Sequence, residues 1–276
     1  MYTLNCKGRL LVMDRPWVMG IINTTPDSFY EKSRKQEIDE ILQVAENMIQ
    51  KGADILDIGG QSTRPGSKRI SIQEEIDRTA PAIEHLMHEF PGALISIDTF
   101  SSGVAKAAVK AGAAIVNDIS GGNMDDGMIS TVASLSVPYI CMHMQGTPDT
   151  MQKNPHYENV TETVLDELIQ KIHHCRTAGI HDIIIDPGFG FGKNIPHNFA
   201  LLKTLNAFSI IDRPLMVGLS RKSTIYKTLH TTADHALNGS TVLHTIALMN
   251  GADILRVHDV KAAKETVDLF MAYRNA

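Results

Sequence analysis

The sequence predicts an α/β fold: a closed (β/α)8 barrel of the TIM type, preceded by a short N-terminal β-hairpin. Two observations carry this expectation. Eight short apolar runs rich in Ile and Val recur at fairly even intervals, and segments with helical spacing lie between them. Several of those segments close on a glycine just before the next run, at Gly52, Gly112, Gly179 and Gly251. Glycine relaxes into the left-handed cap at a helix end, so this is the signature of a helix handing over to a strand.

In chain order, Thr3 to Met13 alternates in the manner of a hairpin. The runs follow as WVMGII (17–22), DILDI (54–58), ALISID (93–98), AIVND (114–118), YICMH (139–143), DIIID (182–186), PLMVGLS (214–220) and DILRVH (253–258). They are too short for free-standing helices and read as buried parallel strands. IDEILQVAENMIQKG and VLDELIQKIHHCRTAG are among the helical segments between them. Strands alternating with helices imply parallel pairing through right-handed crossovers, and eight such units imply closure. A doubly wound open sheet is the alternative. No Pro-, Ser- or Gly-rich linker divides the chain, so one domain is expected over residues 1–276.

Composition narrows the function classes. The net charge is −5 with no basic stripe, which argues against nucleic acid as a partner. Three scattered cysteines without a CxxC suit a reducing compartment and argue against a disulfide framework or a zinc ribbon. No stretch approaches the roughly 18 apolar residues of a membrane span, and the N-terminus lacks an apolar signal region, so a cytoplasmic location is expected.

The apolar runs end on polar residues. GADILDIGG carries Asp57, and the near-repeat GADILRVHD carries Arg256 and His258. Across the eight runs the polar endings are Asn23, Asp57, Asp98, Asn117, His143, Asp186, Ser220, and Arg256 with His258. Singly, an Asp at a strand end reflects turn and cap chemistry. Together, on the face of a barrel where strand ends meet, they describe a polar pocket for a small nitrogen-rich or anionic ligand. Asp57 lies within its run and could instead be a structural acceptor.

Two loops qualify this pocket. DPGFGFGKN (186–194) fails both the Walker pattern and GxGxxG, and reads as a close-packed loop offering backbone N–H groups with Phe189 and Phe191. LSRKSTIYKTL (219–229) passes from strand into helix and places Arg221, Lys222 and Ser223 at a helix start. Such a position collects anions, and Arg256 and His258 lie on the next run. A solvated basic cap is the plainer account of an isolated SRK. QSTRPGSK and NTTPDSF are lid-like loops after the second and first runs. HExxH, GxSxG and metal-ligand His/Cys spacings are absent, which argues against a zinc hydrolase or a serine nucleophile.

MGIINTTPDSF, DIGGQSTRPG, SIDTF, IVNDISGG, MHMQGTPDTMQ, DPGFGFGK, GLSRKS and RVHDV, in that order from residue 19 to 260, resemble the dihydropteroate synthase family. The resemblance implies a (β/α)8 barrel, a homodimer, and an alkyl transferase of folate synthesis. Its reaction would join p-aminobenzoate to a dihydropterin-methyl pyrophosphate and release pyrophosphate, and sulfonamides would mimic the benzoate. It implies that Asp98, Asn117, Asp186 and Lys222 hold the pterin. Asn23, Thr63, Arg64, Arg256 and His258 would meet the pyrophosphate, with Asn23 also reaching Mg2+. Arg64, Pro65, Phe191 and Ser223 would surround the benzoate, and catalysis would fall on Asp98, Lys222, Arg256 and His258. One departure is visible: where the family often continues TPDSF with Ser-Asp-Gly-Gly, this chain has Tyr30-Glu31-Lys32-Ser33. A corrinoid-linked methyltransferase barrel would keep Asp98, Asn117 and Asp186 but has no use for STRPG or the SRK/RVH pair. A phosphate-ester isomerase would keep the anion site but needs a base beside an acidic carbon, and a non-catalytic module would have lost its pocket charges.

Overall fold

A computed structural model describes residues 1–24, 34–62 and 69–276. The chain opens with a hairpin of β1 (Tyr2–Cys6) and β2 (Arg9–Met13), and the barrel strands follow in alternation with helices. They are β3 (Trp17–Asn23), β4 (Ile55–Gly59), β5 (Ile95–Asp98), β6 (Ile115–Asp118), β7 (Tyr139–Met142), β8 (Ile183–Asp186), β9 (Met216–Val217) and β10 (Ile254–Val257). Each predicted run overlaps one of them, with β3 and β4 running one residue further. The helices are α1 (Arg34–Gln50), α2 (Ile72–Glu89), α3 (Ser102–Ala111), α4 (Met128–Leu135), α5 (Val160–Thr177), α6 (Ile195–Lys203), α7 (Ser223–Thr228), α8 (Leu237–Met249) and α9 (Val260–Arg274).

All eight barrel strands pair in parallel, in the order β8-β7-β6-β5-β4-β3-β10-β9. The two ends of that row meet through one parallel bridge, Ile185 to Leu215, and the Ile185 N–H donates to the Pro214 carbonyl at 2.9 Å. The sheet therefore closes, and the open doubly wound alternative is excluded. The handover glycines behave as the sequence implies: Gly52, Gly112, Gly179 and Gly251 have φ of 92°, 131°, 100° and 96°.

Strand residues alternate between the barrel interior and the helical layer, which sorts the core in two. Val18, Leu56, Ile97, Val116, Cys141, Ile185, Val217 and Leu255 belong to the core cluster shared with the helices. Met19, Ile55, Ile115, Ile140, Ile184, Met216 and Ile254 belong to an interior cluster at the N-terminal ends of the strands, and Leu4, Cys6 and Met13 of the hairpin join it. The hairpin is thus a stopper. Arg9 tightens it by donating to the Gly92 carbonyl at 3.2 Å, and Lys7 by donating to the Val109 carbonyl at 2.8 Å.

Leu4 is 2% exposed within that stopper. Leu4→Ala should cost about 2–4 kcal/mol through lost burial and a residual cavity. Urea unfolding would read this as a lower midpoint, whereas substrate constants of the folded variant should match the parent, because the other end of the barrel is untouched.

Candidate functional site

The alternation that stacks Ile and Met at one end of the barrel puts charge at the other. On β4, Ile55 faces inward and so does Asp57. On β6 it is Ile115 then Asn117, on β8 Ile184 then Asp186, and on β10 Ile254 then Arg256. Ser96 and Asp98 do the same on β5. Inward-facing positions two residues on from an apolar plug thus become a polar layer, because side chains repeat with period two.

Arg256 is the centre of that layer. Its Nε donates to Asp57 Oδ2 at 2.6 Å and its Nη2 to Asp98 Oδ2 at 2.6 Å. The Asn117 amide donates to the same Asp57 oxygen at 3.0 Å. Burial alone would lower the pKa of Arg256; Asp57 and Asp98 reverse this and raise it, so the guanidinium stays charged. Asp57 is fully buried, so it acts here as the acceptor that aims Arg256, which was the second of its two sequence readings. The sequence implies that Arg256 faces an anion. The fold shows that it first clamps two carboxylates, and its Nη1 carries no bond to a described residue.

The carboxylates depart from ordinary behaviour. Burial pushes Asp98 up to about 7, with Arg256 opposing and Asp57 adding to the rise. Asp186 is raised by burial against the pull of Lys222, and its Oδ1 accepts the Gly188 N–H at 2.7 Å. Burial draws Lys222 down to about 8, with Asp186 holding it up. The Lys222 ammonium donates to the Phe189 carbonyl and lies 4.7 Å from the centre of the Phe191 ring. Asn23 ends β3, and its Oδ1 lies 3.8 Å, and Asp98 Oδ2 3.7 Å, from the point where a side chain at 59 would begin.

Ser220 and His258 pair at the rim: the Ser220 hydroxyl accepts the His258 N–H at 3.2 Å and lies 3.2 Å from its Nδ1. Burial and the nearby Arg256 lower His258 to about 4, which keeps the ring neutral at pH 7. Ser223 is the first residue of α7, directly after Lys222. Thr63, Arg64 and Pro65 lie outside the described residues, as does the departure at Tyr30 to Ser33.

Three sequence expectations land elsewhere. His143 follows the inward-facing Met142 and so points away from the pocket; it is buried, 2.9 Å from the Lys193 ammonium and 3.3 Å from Glu167. Burial lowers it to about 4. Arg221 does not face the ligand space either. It forks onto Asp259 at 2.7 and 2.9 Å and donates to the Ala233 and Asp234 carbonyls at 2.9 and 2.8 Å, tying the loop after α7 to the start of α9. Phe189, 1% exposed, belongs to the helical core, whereas Phe191 packs beside Met142 and Met144 above the pocket.

Sequence reasoning missed the residues that hold this layer in place. Asp118, facing outward beside Asn117, accepts from Ser120, Gly122 and the Tyr139 hydroxyl at 2.7–2.8 Å. Lys171 of α5 donates to the Ser120 and Met142 carbonyls at 2.7 and 3.1 Å. Lys193 is buried and drawn down to about 7 by that burial, with Asp186 opposing.

A barrel whose open end gathers three carboxylates, an amide, a lysine and an arginine can bind a flat, polar heterocycle beside an anion. Known proteins agree. The pterin binding enzyme family matches residues 19–258. A dihydropteroate synthase of Haemophilus influenzae is 41% identical over 275 residues, covering 99% of each chain. The structure of Yersinia pestis dihydropteroate synthase in complex with a sulfonamide drug superposes with a TM-score of 0.93 at 40% identity over 100% of both chains. That of the Xanthomonas albilineans enzyme in complex with 7,8-dihydropteroate has a TM-score of 0.89 at 36% identity, again over 100% of both. On a match of this extent, the chain belongs to the dihydropteroate synthase family of pterin binding enzymes.

Proposed function

We propose that the barrel mouth seats a dihydropterin pyrophosphate and p-aminobenzoate side by side. The pterin set is Asp98, Asn117, Asp186 and Lys222. The pyrophosphate set is Asn23, Thr63, Arg64, Arg256 and His258, and the benzoate set is Arg64, Pro65, Phe191 and Ser223. The reaction is that of the family: an alkyl transfer that condenses (7,8-dihydropterin-6-yl)methyl diphosphate with 4-aminobenzoate, giving 7,8-dihydropteroate and pyrophosphate. The observation that supports these roles best is the inward row of Asp98, Asn117 and Asp186 with Lys222 beside it.

The chemistry suits those groups. A pterin edge is a row of amide-like donors and acceptors, which carboxylates and a carboxamide match in pairs. The bond that breaks joins the methylene carbon to a phosphate oxygen, the one that forms joins the same carbon to the benzoate's amine nitrogen, and the nitrogen then gives up one proton to the released pyrophosphate or to water. An aryl amine is nucleophile enough, so no enzyme nucleophile is required. The leaving pyrophosphate needs its growing charge carried, by Arg256 through Nη1 and by Arg64. Positive charge developing on the methylene-pterin as the C–O bond lengthens falls beside Asp98.

Mg2+ belongs to this proposal. Among the described residues no three His, Cys, Asp or Glu side chains converge to cage a metal. The amide oxygen of Asn23 is a hard donor of the kind Mg2+ accepts, and Mg2+ is commonly held by one or two protein oxygens together with substrate phosphates. When bound, it would supply charge neutralisation on the pyrophosphate. We also propose a homodimer. Val242, Ile246 and Met249 stand exposed along one side of α8, a row of apolar surface that a second copy would cover. Among the described residues, no helix is long and apolar enough to cross a membrane.

The direct test incubates the chain with Mg2+, the pterin pyrophosphate and labelled p-aminobenzoate. Label should appear in dihydropteroate; its failure to do so with folded protein would refute the reading. Asp186→Asn should weaken a plain dihydropterin at least tenfold by calorimetry, because the single remaining amide oxygen is taken by the Gly188 N–H and the NH2 is turned on the pterin's donors. Unchanged affinity would remove Asp186 from the ring-binding set.

Asp98 yields a pH-dependent prediction. Its folded pKa lies above its unfolded one, so its contribution to stability is full below about pH 4 and is lost as pH rises through about 7. Asp98→Asn abolishes that loss. The urea midpoint of the variant minus that of the parent should therefore grow between pH 5 and pH 8, and a constant difference would contradict the raised pKa.

A further inference from the structure

The loop Gly188–Gly192 forms one wall of the site, and its backbone is held in an unusual way. Each of its carbonyls accepts a side-chain donor. Gly188 and Phe191 accept from the Lys193 ammonium at 3.0 and 3.1 Å, and Phe189 from Lys222. Gly190 accepts from Gln152 at 2.6 Å and Gly192 from the Tyr157 hydroxyl at 2.9 Å. Gly188, Gly190 and Gly192 have φ of 71°, 82° and 63°, a conformation costly to residues with a side chain. At Gly188 a Cβ would sit 1.9 Å from the His143 carbonyl oxygen, so the loop is nested against the chain after β7.

Lys193 supports this wall from behind. An ammonium has three N–H donors, and here all three are used: two on the loop carbonyls and one on His143 Nδ1 at 2.9 Å. The other ring nitrogen of His143, Nε2, faces Glu167 3.3 Å away. On the other side of the same loop, Phe189 holds Lys222 and Phe191 lies under it. Lys193 is 2% exposed and all its hydrogen bonds go to the loop and His143, so it reaches substrates through the loop and through its charge beside Asp186.

We propose that Lys193 is a positioning residue for both substrates: by fixing the Gly188 and Phe191 carbonyls it sets Lys222 toward the pterin and the Phe191 ring toward the benzoate. This rests on the substrate sets assigned above. A residue that merely stabilises the fold would reduce the amount of active enzyme and the thermal midpoint, leaving the substrate constants of the surviving molecules alone. A positioning residue moves the constants themselves.

The test is Lys193→Met, close in length but without donors, with KM for p-aminobenzoate measured by steady-state kinetics and Kd for 6-hydroxymethyl-dihydropterin by calorimetry. Both should rise about tenfold, with kcat per active site changed less than threefold. A rise of threefold or more in either constant supports the role; smaller changes in both overturn it, whatever happens to thermal stability. If Lys193→Met does not fold, the same two constants are read on Lys193→Gln, which keeps an N–H donor but shortens its reach. The parent, assayed alongside, separates the two ideas. A parent that makes no dihydropteroate defeats the proposed function, whereas an active parent with unaltered constants in the variant defeats the positioning role alone.

Discussion

The polar half of this barrel depends on one buried cation. Three carboxylates, Asp57, Asp98 and Asp186, enter an interior that elsewhere holds Ile and Met. A lone charge there would be driven to its neutral form. Arg256 meets two of the three at 2.6 Å, and its own charge is in turn sustained by them. The exchange is incomplete by design of the sequence: Asp98 remains raised to about 7, and Lys222 remains lowered to about 8. A pocket in which Asp98, Asp186 and Lys222 are drawn toward neutrality around a charged arginine leaves hydrogen-bonding needs for a ligand to meet.

The barrel was legible because burial and period act on every strand alike. Runs such as DIIID and DILRVH are short, branched and apolar, which leaves few alternatives to a buried parallel strand. The handover glycines then marked where helices had to stop. The polar layer was legible for the same reason, since Asp98, Asn117, Asp186 and Arg256 occupy the last inward positions of their strands. His143 shows where a simpler rule fails. It is the first polar residue after its run, yet Met142 takes the inward place and parity sends His143 outward. Counting in twos from Ile140 would have found this.

Other features could not be read in one dimension. Arg221 and Lys193 have long, rotatable side chains, and nothing local says which carbonyl or carboxylate each will reach. Arg221 meets Asp259, 38 residues away, and Lys193 meets His143, 50 residues away. SRK paired with RVH implies one anion site; the fold splits the SRK triplet, with Arg221 turned at φ 53° onto Asp259 and Lys222 to the inside. The GFGFGK motif reads as a close-packed loop, and it is one, but nothing local says that its carbonyls are filled by Lys193, Lys222, Gln152 and Tyr157.

The hairpin stopper has a consequence for traffic. With Leu4, Cys6 and Met13 filling the N-terminal end, the barrel is a blind well with one doorway. Whatever sits deepest must enter first and leave last. Under the proposed substrate sets, with the pterin ring in the strand layer and the benzoate at the rim, the amine would be admitted over a seated pterin. Dihydropteroate, which spans both levels, then has to be withdrawn lengthwise before the next turnover begins. The closure is double: the inward Met and Ile side chains of the strands already pack the space beneath the polar layer, and the two hairpin strands seal what lies below them.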